Sequence, residues 1–334
     1  MTHAFSKHCS WTRQATIGFL GATTPSVWSA FVAAFEQRLR ELGWINGSNV
    51  AIDYRWAEGC EENYAKYAAE FIRLEVDVIV TSGTAPAIAV KNAVNNAKSD
   101  IPIVFAAAGD PVGTKLVATL EHPGDHVTGL SNGQTTLAAQ RLDKFYRAIP
   151  SLKRVHVMGN VNAPNVRPEM DAVLAAVSEL NKVLALKEPI EAPELKIETA
   201  EDIVNGIQKL DVPIAAPNDP VIGLYVCTDP LITTHSIAIN TLAVRKGLPT
   251  MHAFRDYVVA GGLMSYGPDF RVLFQRAAKL VDKILRGAMP ENLPVGLPDP
   301  NEFELVINRT TARALGLRDS FLTRSDEVAD AVVG

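Results

Sequence analysis

The sequence predicts an α/β protein made of two doubly wound units, each built on a parallel sheet. Three observations predict it. Short continuous apolar runs alternate with segments of helical period, as in strands buried on both faces by helices. The runs repeatedly end in a small or polar residue followed by proline. The alternation pauses at VTGLSNGQ (Val127–Gln134) and then restarts, which divides the 334 residues near position 132. That length suits about two domains at roughly 150 residues each.

The first unit opens with ATIGFLG (Ala15–Gly21). A helix follows, with Val27, Ala30, Phe31, Ala34, Phe35, Leu39 and Leu42 on one face and Gly43 as its terminator. VAIDYRW (Val50–Trp56) precedes a helix near Glu61–Arg73, and VDVIVTS (Val76–Ser82) precedes one near Ala85–Ala97. IPIVFAA (Ile101–Ala107) leads to Asp110, Pro111 and an expected short helix near Val112–Leu120. In the second unit, a helix near Thr136–Ala148 precedes RVHVMGN (Arg154–Asn160). A helix near Val166–Asn181 precedes a weaker expected strand, VLALKEPI (Val183–Ile190). A helix near Ala200–Leu210, the run VIGLYVC (Val221–Cys227), a helix near Leu231–Lys246 and LPTMHA (Leu248–Ala253) complete it. The tail carries GGLMSYG (Gly261–Gly267), a long helix near Asp269–Arg286, a Pro-rich stretch and FELVINR (Phe303–Arg309) with a short closing helix.

Composition narrows the function. Lys plus Arg number 32 and Asp plus Glu 37, for a net charge of −5 with no dense basic cluster, so nucleic acid is not an expected partner. No run of 18 apolar residues is present, so no membrane-spanning helix is expected. Cys9, Cys60 and Cys227 are odd in number and far apart, which excludes a CxxC metal or redox site and a disulfide framework. Nucleotide-binding GxGxxG and GxxxxGK[ST] loops, a GxSxG elbow and an HxxxH metal pair of the metalloprotease type are all absent, so no cofactor or metal is expected. Met1–Thr16 lacks the apolar run of a secretory leader, which leaves cytoplasmic residence and a trimmed leader both open.

The feature that carries chemistry is the strand–polar–Pro–helix junction. It recurs as GATTP (Gly21–Pro25), SGTAP (Ser82–Pro86), AGDP (Ala108–Pro111), NVNAP (Asn160–Pro164) and CTDP (Cys227–Pro230), with SYGPD (Ser265–Asp269) as a variant. Proline suits the first helical position, and the polar residue before it caps the helix. Each junction sets a helix N-terminus, with unpaired amides and positive dipole, past the C-terminal end of a strand. In a parallel sheet these ends share one edge, where ligands of open α/β sheets bind. Two units facing each other would line a cleft suited to a carboxylate. Such junctions also cap helices in proteins that bind nothing there. Asp110 and Asp229 could each cap a helix or meet a ligand ammonium, and capping is the commoner role. Cys227 lacks a partner base and reads as packing, as do Trp44 and Trp56, whereas Phe254 and Tyr266 suit a cleft wall.

Four longer segments make the chain recognisable: NGSNVAIDYRWAEG (Asn46–Gly59), IPIVFAAAGDPV (Ile101–Val112), HPGDHVTGLS (His122–Ser131) and FELVINRTTARALGL (Phe303–Leu317). From about Thr16 to Leu317 the chain resembles the ABC-transporter substrate-binding proteins of the tryptophan/tyrosine-binding type. The resemblance implies a type I periplasmic-binding-protein fold, with two lobes joined by three crossovers and closing like a clamshell on a small ligand such as an aromatic amino acid. It implies lobe one at residues 14–132 plus 255–287, lobe two at 133–254 plus 288–334, and a poorly ordered extension at 1–13. The crossings fall near Ser131–Gln134, Ala253–Arg255 and Gly287–Pro300, so that the Gly261–Arg286 strand and helix return to lobe one. By position, Ser82, Gly83 and Thr84, with Thr23 or Thr24, match the ligand-gripping loop of lobe one, and Asn160 and Asn162 the facing loop. Asp110, Thr228, Asp229 and Tyr266 complete the expected site. The implied role is solute capture for an ABC permease outside the cytoplasm. A cytoplasmic sensor of the same fold is the alternative, and an enzyme using Cys227 or Asp110 a weaker one.

Overall fold

The computed structural model describes residues 13–186, 188–212, 221–317 and 331–333. Residues 1–12, nearly all of the expected N-terminal extension, lie outside them, as do Lys187 and most of the chain after Leu317.

The first sheet takes β1 (Ala15–Gly21), β2 (Val50–Trp56), β3 (Val78–Thr81), β4 (Ile103–Ala108) and β5 (Val127–Ser131) in the order β2-β1-β3-β4-β5, all parallel. Every residue of β3, β4 and β5 is buried, which explains their unbroken apolar character. Three helices connect these strands: α1 (Pro25–Glu41), α2 (Glu62–Arg73) and α3 (Thr84–Asn96). Helix α1 starts as its sequence dictates, with Pro25 in its first turn and the Thr24 hydroxyl accepting from the Val27 amide. It buries Trp28, Phe31, Phe35 and Leu39 at spacings of three and four.

The second unit contains α4 (Ala138–Ala148), β6 (Leu152–Asn160), α5 (Val166–Val183), β7 (Glu194–Ile197), α6 (Ala200–Lys209) and β8 (Val221–Val226). It continues with α7 (Pro230–Thr234), α8 (Ser236–Arg245), β9 (Thr250–His252), α9 (Arg255–Val259) and β10 (Met264–Pro268). After these come α10 (Phe270–Leu285), β11 (Phe303–Asn308), α11 (Arg309–Ala314) and β12 (Ala331–Val333). The sheet order is β12-β11-β10-β9-β8-β6-β7, parallel except where β11 runs against β10.

Three local expectations fail for identifiable reasons. Residues 112–120 form turns rather than a helix, because Asp110 and Lys115 have φ of 41° and 60°, outside the right-handed helical region. The segment from Val183 is not a strand. Helix α5 itself runs on to Val183, Ala185 turns back with φ of 45°, and the strand forms later at Glu194–Ile197. The expected helix over Leu231–Lys246 breaks at His235, where φ is −99° and ψ is 15°, into α7 and α8.

The crossings position the cleft. The chain leaves the first sheet after Ser131 and enters the second unit through α4. The second crossing is not at Ala253–Arg255. β10 stays in the second sheet, hydrogen-bonded to β9 and β11, and only α10 returns to pack on α1, β4 and β5. The change occurs at Pro268–Phe270, where Asp269 caps α10 through the Arg271 amide. The aromatic face of α10 then locks on α1, with Phe274 5.7 Å from Trp28 and 5.4 Å from Phe31 between ring centroids. In the third crossing, Gly296 pairs with the end of β5, and the chain joins the second sheet at Phe303.

Candidate functional site

The C-terminal edges of the two sheets face each other. A Cβ placed on Gly83, after β3, would lie 3.6 Å from Cγ of Pro230, after β8. One on Gly59, after β2, would lie 3.3 Å from Oγ1 of Thr234. Between these edges is a narrow hollow of about 40 Å³.

Thr23, Ser82, Gly83 and Thr84 from the first unit, and Thr228 and Asp229 from the second, line this cavity. Gly83 has a φ of 95°, a backbone state that favours glycine, and no side chain caps the helix α3 that it opens. Thr84 is placed differently from expectation. Its hydroxyl donates to the Gly109 carbonyl and accepts from the Gly109 amide, both at 3.0 Å, so its proton is committed inside the lobe. The contribution of this junction is the positive first turn of α3 rather than the hydroxyl.

Asp229 takes the capping role, the commoner of the two open to it. Oδ1 caps α7, accepting from Leu231 at 2.6 Å and Ile232 at 3.1 Å. Oδ2 is buried and makes no hydrogen bond of good geometry. Burial pushes this carboxyl up to about 7, against the lowering pull of the Ile232 and Leu231 amides and of Asn160. Thr228 Oγ1 and Asn165 Oδ1, on residues of the same cavity, are likewise buried without a hydrogen bond of good geometry. Buried polar atoms in this state are the exception in folded proteins, and here three converge on one hollow.

The other expected residues are not brought to the cavity. Thr24 caps α1. Asp110 accepts from the Gly113 amide and lines a separate hollow with Thr135 and Leu297. Asn160 is buried and accepts from the Asn162 amide, while Asn162 is exposed. The Tyr266 ring meets Phe303 edge-on and has Lys144 Nζ 4.3 Å from its centroid. Trp44 packs outside the cavity, its indole donating to Asp282 at 2.8 Å, and Trp56 packs behind Trp28. Cys227 is buried, which pushes its thiol well above the ordinary range and away from thiolate chemistry.

Sequence reasoning missed several lining residues. Trp28 and Phe270 form an apolar wall with Phe254, the residue the sequence did offer for a cleft wall, and Phe254 and Phe270 stack at 4.0 Å between centroids. Gln134 and Asn132 come from the first crossing and Asn165 from the start of α5. Gln134 carried a signal, since it sits in the pause between units. Asn165 follows the NVNAP junction directly, and no side chain caps the helix it precedes. Behind the cavity, Glu169 accepts from the Thr228 amide at 3.2 Å and from Gln134 Nε2, and pairs with Arg141 at 3.3 Å. Among the described residues, no group of three or more His, Cys, Asp or Glu could hold a metal, and no helix is long and apolar enough to cross a membrane.

Two α/β lobes, linked by three crossings and enclosing a polar hollow at facing sheet edges, define a type I periplasmic-binding-protein architecture. Residues 25–329 match the ABC transporter substrate binding protein family, and the chain belongs to it. It is 28% identical over 284 residues to the tyrosine-binding protein of Clostridioides difficile, covering 85% of this chain and 76% of the relative. A conserved domain protein from Vibrio cholerae superposes with a TM-score of 0.82 at 25% identity, over 96% of this chain and all of the other. A Streptococcus pneumoniae ABC domain in complex with L-Trp shares the fold, with a TM-score of 0.80 at 22% identity over the same shares. A ligand-free, open substrate-binding protein with adhesive properties from Clostridium difficile superposes at 0.63, with 26% identity over 96% and 99%.

Proposed function

We propose that the protein captures a free amino acid, with an aromatic side chain, for an ABC importer outside the cytoplasm. One observation carries the ligand class. The same cavity is lined at the uncapped N-terminus of α3 in one lobe, at the uncapped N-terminus of α5 in the other, and by Asp229, whose second oxygen is buried without a hydrogen bond of good geometry. Helix N-termini suit an α-carboxylate, and Asp229 suits an α-ammonium. The apolar wall of Trp28, Phe254 and Phe270 suits an aromatic group, whose burial contributes roughly 4–6 kcal/mol. Head-group hydrogen bonds add about 1–3 kcal/mol each, and ordering and lobe closure subtract several, leaving about 8 kcal/mol, or micromolar affinity.

The tyrosine-binding relative and the tryptophan complex support this side-chain class. The short approaches of Gly83 to Pro230 and Gly59 to Thr234 support a closed arrangement that parts to admit the ligand, as does the poorer superposition on the open protein. Closure by bending at the three crossings would present both lobes together to the permease. The experiment is calorimetry with L-tryptophan and L-tyrosine beside tryptamine, tyramine and the matching deaminated acids. Binding of the amino acids alone is the expected result. Equal binding of an amine or acid lacking one head group would refute the paired head-group reading.

A further inference from the structure

Arg141 and Glu169 are 1% and 0% exposed, the most deeply buried ion pair among the described residues. Two buried charges cost more than an apolar pair of equal volume, so packing alone does not explain them. Their hydrogen bonds have a pattern. Arg141 Nη1 donates to the Gln134 carbonyl at 2.9 Å, in the first crossing. Its Nε donates to the Tyr266 carbonyl at 2.8 Å, two residues before the second. Glu169 accepts from the Gln134 side chain and the Thr228 amide, and the Tyr225 hydroxyl donates to it at 3.1 Å. Gln134 Nε2 and Asn165 Nδ2 both donate to the Thr228 carbonyl, at 2.9 and 3.0 Å, and Asn165 Nδ2 also reaches Gln134 Oε1 at 3.1 Å. Gln134, Asn165 and Thr228 line the cavity.

We propose that Arg141 and Glu169 are positioning residues that join the first two crossings and the lobe-two wall of the cavity into one unit, so that ligand contact at that wall biases lobe closure. The ligand half of this proposal rests on the amino-acid-capture reading above. Arg141 supplies the fork that can hold two carbonyls on different segments, and Glu169 orients the groups that face the ligand. Coupling of this kind needs a contiguous element that both the site and the hinge bias, and the network supplies one.

The test replaces the pair by apolar residues, Arg141→Met with Glu169→Leu, which keeps the α4–α5 contact filled, and adds Arg141→Lys as a milder variant. Hydrogen exchange on ligand-free protein is read at the amides of residues 131–136 and 266–270, with β1 and β3 as internal reference. Exchange at both crossings should rise about tenfold in the double variant, and at the Tyr266 side in Arg141→Lys, while the reference strands stay unchanged. Folded variants with unchanged exchange at the crossings would overturn the proposal. If the double variant does not fold, Arg141→Lys decides by the same criterion. With L-tryptophan or L-tyrosine as probe, the double variant should bind about tenfold more weakly and lose the ligand-induced fall in radius of gyration by X-ray scattering. Parent-like compaction would also overturn it. If neither amino acid binds the parent, the capture reading fails, and the exchange measurement still decides the hinge network.

Discussion

At Asp229 a single side chain divides its labour between its two oxygens. One satisfies helix amides, as proline at the first position of α7 and aspartate before it lead one to expect. The other, on a residue that lines the cavity, is buried without a hydrogen bond of good geometry. The carboxyl titrates near 3.8 when unfolded and about 7 when folded, because burial disfavours its charge. The ligand-free fold therefore binds this proton more tightly than the unfolded chain, and the contribution of Asp229 to stability falls as pH rises from about 4 to about 7. An incoming ammonium needs the ionised form, so ligand binding should strengthen with pH through the same upper limit. Asp229→Asn keeps a competent cap and removes the charge. Relative to the parent, it should gain stability in thermal melts as pH rises from about 4 to 7. At pH 8 it should bind tryptophan about tenfold more weakly, with the difference shrinking towards pH 5.5 in calorimetry. A parent-like pH profile of binding in Asp229→Asn would show that the ammonium sits elsewhere.

At the scale of the element, the junction between β3 and α3 shows how a polar residue can serve a site without touching a ligand. The Thr84 hydroxyl closes a two-way hydrogen bond with Gly109 across the loops after β3 and β4. The uncapped first turn of α3 is thereby set against the cavity. Thr84→Val preserves shape and leaves the Gly109 amide and carbonyl without this partner, at a cost of about 2 kcal/mol. For 334 residues that corresponds to a fall of roughly 3 °C in melting temperature. Affinity should fall with it, through displaced amides rather than a lost ligand bond. Unchanged affinity by calorimetry would remove this turn from the site.

For the whole molecule, α10 is the clasp. It starts from a strand of the second sheet and buries its aromatic face against α1 of the first, beside the cavity wall. Trp28 belongs to both, packing edge-on against Phe274 and lining the hollow. Trp44 and Trp56 do not line it. Titration with tyrosine, excited at the red edge where tryptophan alone absorbs, should change the intrinsic emission. Trp28→Phe should abolish most of that change while the protein still melts cooperatively. A full signal in Trp28→Phe would place the aromatic group away from this wall.

The sequence by itself determined the α/β class, nearly every strand of the first sheet and the set of helix N-termini at the sheet edges. These follow from local physics: buried parallel strands must be apolar throughout, and helix starts need caps. It could not determine which sheet β10 joins, because the same apolar run suits either, and only pairing with β9 and β11 decides. Nor could local pattern separate the Thr84 hydroxyl, spent on Gly109, from the Asp229 oxygen left over for a guest. Tyr266 and Asn162 look as polar and well placed along the chain as Gln134 and Asn165, yet only the latter pair reach the cavity. The buried Arg141–Glu169 pair carried no sequence signal, since its partners lie up to 125 residues away and meet only when the crossings bring them together. Side chains from segments remote in sequence can share a proton or a charge only once the fold fixes their distance.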